Sequence, residues 1–405
     1  MDPVKNPFTP NAGAEPEVIV GRDEQLTSFD ILLNRLISGR TEQSMIITGL
    51  RGVGKTVLLG QFRTKALRAS WAVVEIEVSK HDDDQFKSEC AARLRTVLFE
   101  LSARARWSEK LRHAAAVLKS FSLAVDPSGK VTAGLEVDAA SGYADHGNLT
   151  LDMTDVFVAI GEAAQSEGKG VVFLLDEVQF LEKGQLEALI MALHKVVQRR
   201  LPITMVGAGL PQIAALAGDA RSYAERLFKF PKIGHLEGAD ARRAFEGPVN
   251  SEGMTFDAGA IDLAVRITGG YPYFIQELGY AVWAVAKGDQ IVLQDVQDAE
   301  AIYESKLDSS FFRVRLDRTT ELQRAYLRAM AGLGSAPQKA ADVATLLGRT
   351  SSQVAPTRAK LIAMGLLYTP EHGYAGFTVP HFDQFMLRAV PSLVVPPRQA
   401  RNASN

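Results

Sequence analysis

Residues 49–56 have the types and spacing to bind the phosphates of a nucleotide. The segment Gly49-Leu50-Arg51-Gly52-Val53-Gly54-Lys55-Thr56 matches G-x-x-x-x-G-K-[ST] at every fixed position. Glycines let backbone N–H groups converge on phosphate oxygens, and the N-terminus of a following helix adds positive potential. Lys55 would reach the β- and γ-phosphates and the Thr56 hydroxyl would bind Mg²⁺. The predicted nucleotide contacts are Gly49, Arg51, Gly52, Val53, Gly54, Lys55, Thr56 and Val57.

A second segment, residues 171–177, places two carboxylates after an apolar run. Asp176 at the carboxyl end of a buried strand can hold the Mg²⁺ shell. Glu177 beside it can polarise an attacking water, which is general-base work. The alternative is that both carboxylates only cap a strand or helix. One nucleotide site explains both segments, so we favour it. Gln179 fits γ-phosphate sensing and a solvated helix start equally well.

Three further motifs are weaker. Val20-Gly21-Arg22 could cradle a nucleotide base, but it is also typical of a helix start. Residues 268–274 contain two glycines and a proline, and these residue types by themselves predict a helix–helix turn. Arg221 and Arg226 could reach a γ-phosphate in the same or a neighbouring subunit, although a surface helix paired with Glu225 explains them as well. The residues assigned to catalysis are Glu177, Lys55 and Arg226, and those assigned to the metal are Thr56 and Asp176.

Composition excludes several classes of protein. The 405 residues are 46% apolar and 23% charged, which is typical of a globular chain. The net charge of −2 excludes a basic coat for nucleic acid over the whole surface, but not a local basic face. With Cys90 as the only cysteine, an intrachain disulfide, a zinc finger and an iron–sulfur cluster are all excluded. No apolar run approaches ~20 residues and no secretory signal is visible, so we expect a cytoplasmic protein.

Apolar runs place the elements that must position these residues. Buried strands are predicted at 45–48, 71–78, 171–175 and 203–206, with helical segments between them. This alternation predicts an α/β fold with a parallel sheet and helices on both faces. Alternating apolar residues at 121–125 and 131–137 flank Asp126-Pro127-Ser128-Gly129. They predict a β-hairpin within an insertion spanning 105–150.

The last third of the chain has two further patterns. Residues 237–315 are helical. After them, helices are predicted at 322–333, 339–347 and 351–364, followed by strands at 365–368 and 375–379. Three helices and then a hairpin is the order of a winged helix. Pro356 lies about one turn into the third helix, so this helix is expected to start late.

Together these motifs resemble the AAA+/STAND branch of P-loop ATPases, especially bacterial and archaeal ATPases related to origin-recognition initiators. The resemblance covers roughly residues 17–390. It implies ATP and Mg²⁺ as cofactors and a sheet in the order 5-1-4-3-2. It also implies that Pro272, in Gly269-Gly270-Tyr271-Pro272, approaches the adenine or ribose. The expected domains are an N-terminal arm 1–18, a P-loop ATPase domain 19–236, a helical lid 237–315, a winged helix 316–395 and a tail 396–405.

Two departures from the family pattern bear on activity. The fourth strand usually ends in a polar residue that contacts the γ-phosphate, whereas here it reads Val206-Gly207-Ala208-Gly209. In many proteins of the family an arginine of the lid also contacts the nucleotide. This chain has the glycine–x–proline motif in place of that arginine. We infer slow hydrolysis and a nucleotide-gated switch. Three functions follow from this: a DNA-associated ATPase, a signalling or scaffold switch whose winged helix binds protein, and a nucleotide binder without turnover. The presence of Glu177 argues against the third.

The C-terminal segment has a charge of its own. Residues 319–405 contain nine Lys or Arg and four Asp or Glu, a balance of +5 on a chain of −2. This favours contact with double-stranded DNA. The alternative is a module that binds protein, and a homo-oligomer is also possible. The expected DNA contacts on the third helix are Arg349, Ser351, Ser352, Arg358 and Lys360.

Overall fold

The computed structural model describes residues 1–79, 82–101, 107–123, 126, 130–131 and 134–397. The helices are α1 (Asp23–Ile37), α2 (Lys55–Arg68), α3 (Asp83–Leu101), α4 (Glu109–Leu123), α5 (Leu149–Ser166), α6 (Lys183–Gln198), α7 (Ile213–Ala220), α8 (Ala224–Leu227), α9 (Gly238–Ser251), α10 (Ala258–Thr268), α11 (Pro272–Val285), α12 (Leu293–Lys306), α13 (Arg313–Leu316), α14 (Glu321–Leu333), α15 (Ala340–Leu346), α16 (Ser351–Ala363) and α17 (Phe382–Ala389). The strands are β1 (Ser44–Thr48), β2 (Ala72–Glu77), β3 (Val171–Asp176), β4 (Ile203–Gly209), β5 (Phe228–Lys229), β6 (Thr255–Phe256), β7 (Gln290–Ile291), β8 (Gln338–Lys339), β9 (Leu367–Tyr368) and β10 (Tyr374–Phe377).

The central sheet has five parallel strands in the order β2-β3-β4-β1-β5. Read from the other edge, this is the predicted 5-1-4-3-2 order, which is confirmed. β4 lies between β3 and β1, as expected. Every residue of β1 and β4 is buried, because helices cover both faces of the sheet. These strands therefore have continuous apolar runs instead of alternating patterns.

The predicted β-hairpin at 121–137 is wrong where the structure describes it. Phe121 and Leu123 lie in the last turn of α4. The buried residues Leu111, Ala114 and Leu118 precede Phe121 at helical spacing, and together they form the apolar face of this helix. The alternation at 121–125 was thus the end of a helical period. Residues 124–125, 127–129 and 132–133 lie outside the described part, and no strand forms between α4 and α5 in the residues that it includes.

Two hydrophobic cores lie on the two sides of the sheet. One side packs α3 to α6 against β2 and β3. The other side is continuous from α1 and α2 through the helices α9 to α12 to the C-terminal elements. Phe8 of the N-terminal segment is also part of this second core. The C-terminal elements and the helical segment therefore share buried apolar surface with the sheet.

The C-terminal elements follow the order α14, β8, α15, α16, β9, β10, and the three strands form an antiparallel sheet in the order β8-β10-β9. The expected late start of the third helix is wrong. α16 begins at Ser351, with Pro356 inside it. Thr350 and Gln353 form a capping box that fixes this start one turn before the proline. No helix in the described part of the chain is long and apolar enough to cross a membrane.

Candidate nucleotide-binding site

A cavity of about 300 Å³ opens at the carboxyl ends of β1 and β3, where residues 49–54 connect β1 to α2. Gly52 and Gly54 have φ angles of +83° and +90°, which only glycine adopts without strain. A Cβ on Gly49 would lie 2.6 Å from the carbonyl oxygen of Ile233. The three fixed glycines of the motif thus shape a loop whose backbone can curl around an anion.

Lys55 begins α2 at the floor of this cavity and is only 7% exposed. Its ammonium Nζ donates to the carbonyl oxygens of Gly49 at 3.0 Å and Leu50 at 2.8 Å. Burial lowers the pKa of Lys55, while the carboxylates of Glu177 and Asp176 oppose that shift. The ammonium is therefore a buried cation held by neutral oxygens, and a phosphate would satisfy it better.

Thr56 and Asp176 meet across the cavity although they are 120 positions apart in sequence. The Thr56 hydroxyl Oγ1 donates to the carboxylate Oδ2 of Asp176 at 2.5 Å. A hydroxyl oxygen and a carboxylate oxygen at one point are the hard donors that Mg²⁺ prefers, and Mg²⁺ commonly completes its shell with water and substrate phosphates. The donor set therefore fits the predicted metal.

Glu177 follows Asp176 with φ of +53°, an unusual backbone conformation for a non-glycine residue. This turn directs its carboxylate into the cavity. There Oε1 lies 3.4 Å from Nη1 of Arg51, and Oε2 accepts a hydrogen bond from the Gln179 side chain. A carboxylate held from two sides at a cleft wall can orient a water molecule.

Gln179 explains the glycines at the end of β4. Its Oε1 accepts a hydrogen bond from the backbone N–H of Leu210 at 3.0 Å, so the side chain spans from β4 to Glu177. A Cβ on Gly209 would lie 2.7 Å from that Oε1. The amide of Gln179 therefore occupies the space that a side chain at the end of β4 would fill. The sequence left Gln179 open between sensing the γ-phosphate or a partner and a solvated helix start, and its contacts make it a support for Glu177.

The glycine–x–proline segment touches the phosphate loop directly. Pro272 is the first residue of α11, and the backbone N–H of Tyr273 donates to the carbonyl of Gly52 at 3.1 Å. The Tyr271 hydroxyl donates to the carbonyl of Arg51. A Cβ on Gly270 would lie 2.0 Å from the carbonyl oxygen of Leu236, so only glycine fits at this close approach.

Most of the predicted site residues line the cavity. They are Val20, Arg22, Arg51, Gly52, Val53, Gly54, Lys55, Thr56, Val57, Asp176, Glu177 and Pro272. Gly49 and Gly21 do not line it, and a Cβ on Gly21 would lie 2.8 Å from the carboxylate Oδ2 of Asp240. Arg22 is engaged elsewhere, because its guanidinium donates to the carbonyls of Gly21, Val53 and Gly234 at 2.9 to 3.0 Å. It thus holds the phosphate loop from behind.

Both predicted phosphate-reaching arginines lie away from the cavity. Arg226 is exposed on α8, and its backbone carbonyl accepts a hydrogen bond from Gln43. Arg221 pairs with Glu187 at 3.6 Å, and not with Glu225. Neither arginine lines the cavity within this chain.

Arg315 is a site residue that the sequence analysis missed. It lies on α13, between the helical segment and the C-terminal elements, and its guanidinium stacks over Phe311 at 3.9 Å. Both residues line the cavity. Burial lowers the pKa of Arg315, and the charge of Arg51 lowers it further. No local motif marks this arginine. Its place in the cavity depends on tertiary packing, because α13 and the phosphate loop are more than 250 residues apart in sequence.

Comparisons with known proteins give two family models that match parts of this chain. Residues 18–206 match the family model described as AAA ATPase domain. The matched range includes Lys55, Thr56, Asp176 and Glu177, which all line the cavity. Residues 309–386, which include α13 and the C-terminal sheet, match a model described as a domain of unknown function (DUF8462). A comparison with curated proteins gives no match.

The fold of this chain is similar to that of a solved Walker-type ATPase. The Walker-type ATPase PABY2304 of Pyrococcus abyssi is 13% identical, with a TM-score of 0.57 over 92% of this chain and 97% of that one. Cdc6p from Pyrobaculum aerophilum gives a TM-score of 0.46 at 13% identity, over 96% and 98%. The Orc1 protein of Aeropyrum pernix, solved in complex with DNA, gives 0.44 at 15%, over 93% and 94%.

Proposed function

We propose that this ATPase is a nucleotide-gated switch in which ATP binding and slow hydrolysis set the position of the C-terminal module, residues 316–395. Lys55 and the backbone of the phosphate loop hold the phosphates, and Thr56 and Asp176 supply the metal ligands. Bound Mg²⁺ would neutralise charge that develops on the phosphates. Glu177 orients the attacking water and accepts its proton. The remaining units of this proposal are an N-terminal arm, 1–18, a core domain, 19–236, a helical lid, 237–315, and a tail, 396–405.

One contact carries this proposal. The backbone N–H of Arg51, inside the phosphate loop, donates to the carbonyl of Thr378 in the C-terminal module at 3.1 Å. The Arg51 guanidinium also packs on Gly365, where an added Cβ would lie 2.6 Å from its Nη2. The same side chain reaches Glu177. One residue of the phosphate loop thus contacts both the candidate general base and the module.

This arrangement supports coupling between nucleotide and module. A phosphate in the loop competes for its backbone N–H groups and attracts the side chains of Arg51 and Arg315. Because the N–H and side chain of Arg51 also contact Thr378 and Gly365, a phosphate that engages Arg51 alters the contacts at the base of the C-terminal module. A ligand shifts an equilibrium between two states when its interactions with them differ, and here the loop is part of both the site and the interface.

We further propose that the C-terminal module is a winged helix that contacts double-stranded DNA through α16. Ser351, Ser352 and Lys360 are exposed on this helix, and Arg358 is half-buried. The +5 balance of the segment supports contact with phosphate. DNA bound here would shift the module and thereby alter the site at Arg51.

A protein partner is the second candidate, and one observation favours it. Arg349 donates to the carbonyl oxygen of Pro396 at 2.9 Å, so this cation is already engaged by the chain's own C-terminal segment. Fewer free cations weaken the case for a phosphate-binding face.

We also propose that Arg226, which is exposed on α8, reaches the γ-phosphate bound by a neighbouring subunit of a homo-oligomer. We propose a cytoplasmic location for the protein.

The test is ATP hydrolysis by the purified protein with and without duplex DNA, over a range of salt concentrations. We expect DNA to raise the rate and the effect to fade as salt rises. Arg358→Ala and Lys360→Ala should weaken DNA binding and lower its salt slope by about one each. Lys183→Ala, at a lysine that is 72% exposed on α6, is the matched control and should change nothing.

The outcomes separate the two candidates. A rate that is indifferent to DNA at low salt refutes the DNA-coupled switch and supports a protein partner. A turnover of ~10 s⁻¹ or more without any partner, which is typical of ordinary enzymes, contradicts slow hydrolysis. Lys55→Ala gives the blank for both measurements.

Gly209→Ala tests the support of Glu177 by Gln179. The new methyl group would lie 2.7 Å from the Gln179 Oε1 and 2.9 Å from Val178, so the amide must move and release the carboxylate. Because a displacement of about 1 Å can cost up to 10²-fold in rate, we expect ATP turnover to fall by roughly 10- to 100-fold. Gln179→Ala should reproduce this loss.

Gly184→Ala is the matched control for this prediction. A Cβ there meets nothing within 4 Å, and the residue lies on α6. Turnover and the thermal midpoint should both stay near those of the wild type. Equal losses in both glycine variants would contradict the role given to Gln179.

A further inference from the structure

The N-terminal segment crosses the mouth of the nucleotide cavity. Residues 9–14 and Pro16 line the same cavity as Lys55 and Asp176. A Cβ on Gly13 would lie 3.8 Å from the Thr56 side chain, so the segment passes directly over the start of α2. We call residues 9–16 the strap. None of the motifs in the sequence accounts for it.

The strap is anchored to two different parts of the molecule. At one end Phe8 is 2% exposed, and its ring is so close to Gly279 of α11 that an added Cβ would lie 2.4 Å from it. The backbone N–H of Thr9 donates to the side chain of Gln276, also on α11, at 2.9 Å. At the other end Glu15 accepts a hydrogen bond from Gln61 of α2 at 2.6 Å. The strap therefore bridges the helical lid and the helix that carries Lys55.

The chemistry of the strap points to the uncharged half of a nucleotide. Residues 9–16 read Thr-Pro-Asn-Ala-Gly-Ala-Glu-Pro, with no cation and one carboxylate. Such a segment has no cationic side chain to attract phosphate. Its prolines and alanines instead face a cavity that Val20, Leu236 and Ile275 also line. An apolar slot with a few polar groups is the usual setting for a heteroaromatic base.

We propose that the strap is the wall that holds the base and ribose of the bound nucleotide, and that its two anchors make it a retaining element. Phe8, Thr9 and Gln276 are positioning residues on the lid side, and Glu15 and Gln61 form the weaker, exposed latch on the α2 side. Nucleotide leaves when the latch opens. The proposal rests on the proposed function, since it assumes that the cavity holds a nucleotide.

The test compares ADP with inorganic pyrophosphate, which shares the diphosphate and lacks the nucleoside. Affinities are measured by calorimetry for ADP and by competition against ADP for pyrophosphate. We expect Phe8→Ala to weaken ADP binding by at least about 10-fold and pyrophosphate binding by less than 2-fold, with faster ADP dissociation. Lys55→Ala should weaken both ligands. A purely structural role for Phe8 would not distinguish between them.

Further variants keep the test decisive. Phe8→Leu retains apolar bulk and should restore most of the ADP affinity. Gln276→Ala removes an anchor without opening the core, so it serves if Phe8→Ala does not fold. Val4→Ala, at a 90% exposed residue of the same segment, is the matched control and should bind like the wild type.

Two results would overturn the proposal. One is loss of ADP and pyrophosphate affinity by the same factor, and the other is unchanged ADP affinity in both Phe8→Ala and Gln276→Ala. If the wild type binds neither ligand, the proposed function itself fails, and this outcome is distinct from both.

Discussion

Glu177→Gln is expected to lower ATP turnover by roughly 10²- to 10⁴-fold while ATP affinity stays within about 3-fold of the wild type. Glutamine keeps the shape of the side chain and can still bond to Gln179, but it cannot accept a proton from water. The carboxylate lies at the cavity wall, between Arg51 and Gln179, and is 23% exposed. Single-turnover hydrolysis and equilibrium ATP binding measure the two quantities separately.

Controls distinguish this effect from damage to the site. Lys55→Ala should lose ATP affinity itself, because it removes the buried cation. Glu187→Gln changes a glutamate that pairs with Arg221 on the surface, and it should leave turnover unchanged. If Glu177→Gln hydrolyses ATP at the wild-type rate, the general base lies elsewhere in the cavity.

The trapped variant also tests the switch. With hydrolysis blocked, ATP should remain bound. The hydrogen bond between Arg51 and Thr378 should then stay in the form that it takes when ATP is bound. Hydrogen exchange at the Arg51 amide, which donates to Thr378 in this structure, should differ between nucleotide-free and ATP-loaded protein. Identical protection in the two forms would contradict the coupling.

Asp152→Ala is expected to lower the free energy of unfolding by about 3–5 kcal/mol, the largest stability effect we predict. Asp152 is fully buried on α5, and its Oδ2 lies 2.7 Å from Nζ of Lys87 on α3. Its Oδ1 accepts a hydrogen bond from the backbone N–H of His146 at 2.9 Å. Removal of the carboxylate leaves a buried ammonium without its counter-ion, and urea denaturation measures the loss.

Glu162→Ala on the same helix is the matched control. Glu162 pairs with Lys110 and Arg199, whose side chains are 55% and 48% exposed, so solvent screens both pairs. We expect a loss of no more than about 1 kcal/mol. A double variant, Lys87→Met with Asp152→Leu, should recover much of the stability, since it leaves no unpaired charge. Equal losses for Asp152→Ala and Glu162→Ala would show that burial does not control the strength of this pair.

The sequence alone determined four strands of the sheet and the phosphate loop, whereas the strand order came from the family resemblance. The strands at 45–48, 171–175 and 203–206 were predicted within a few residues of β1, β3 and β4, because strands buried on both faces leave continuous apolar runs. The loop motif, with its glycines and Lys55, is a local feature of backbone conformation and charge. Asp176 could be assigned to the same site as Thr56 in advance, because one nucleotide site explains both motifs.

Local patterns failed where two periods overlap. Phe121 and Leu123 alternate like a strand, but Phe121 also continues the helical face of α4, and burial against α5 favours the helix. At α16 the capping box at Thr350 outweighed the preference of Pro356 for the first turn. In both cases the competing signals were visible, and packing or capping decided between them.

Only the tertiary structure decided which side chains complete the site. Gln179 supports Glu177 because Gly209 leaves space beside it. Arg315 lines the cavity from the end of the lid, where its guanidinium stacks over Phe311. The strap closes the mouth because Phe8 is buried against Gly279, more than 250 residues away. These contacts join residues that share no motif and no periodicity. Shape complementarity between distant elements creates them, and it exists only once the chain has folded.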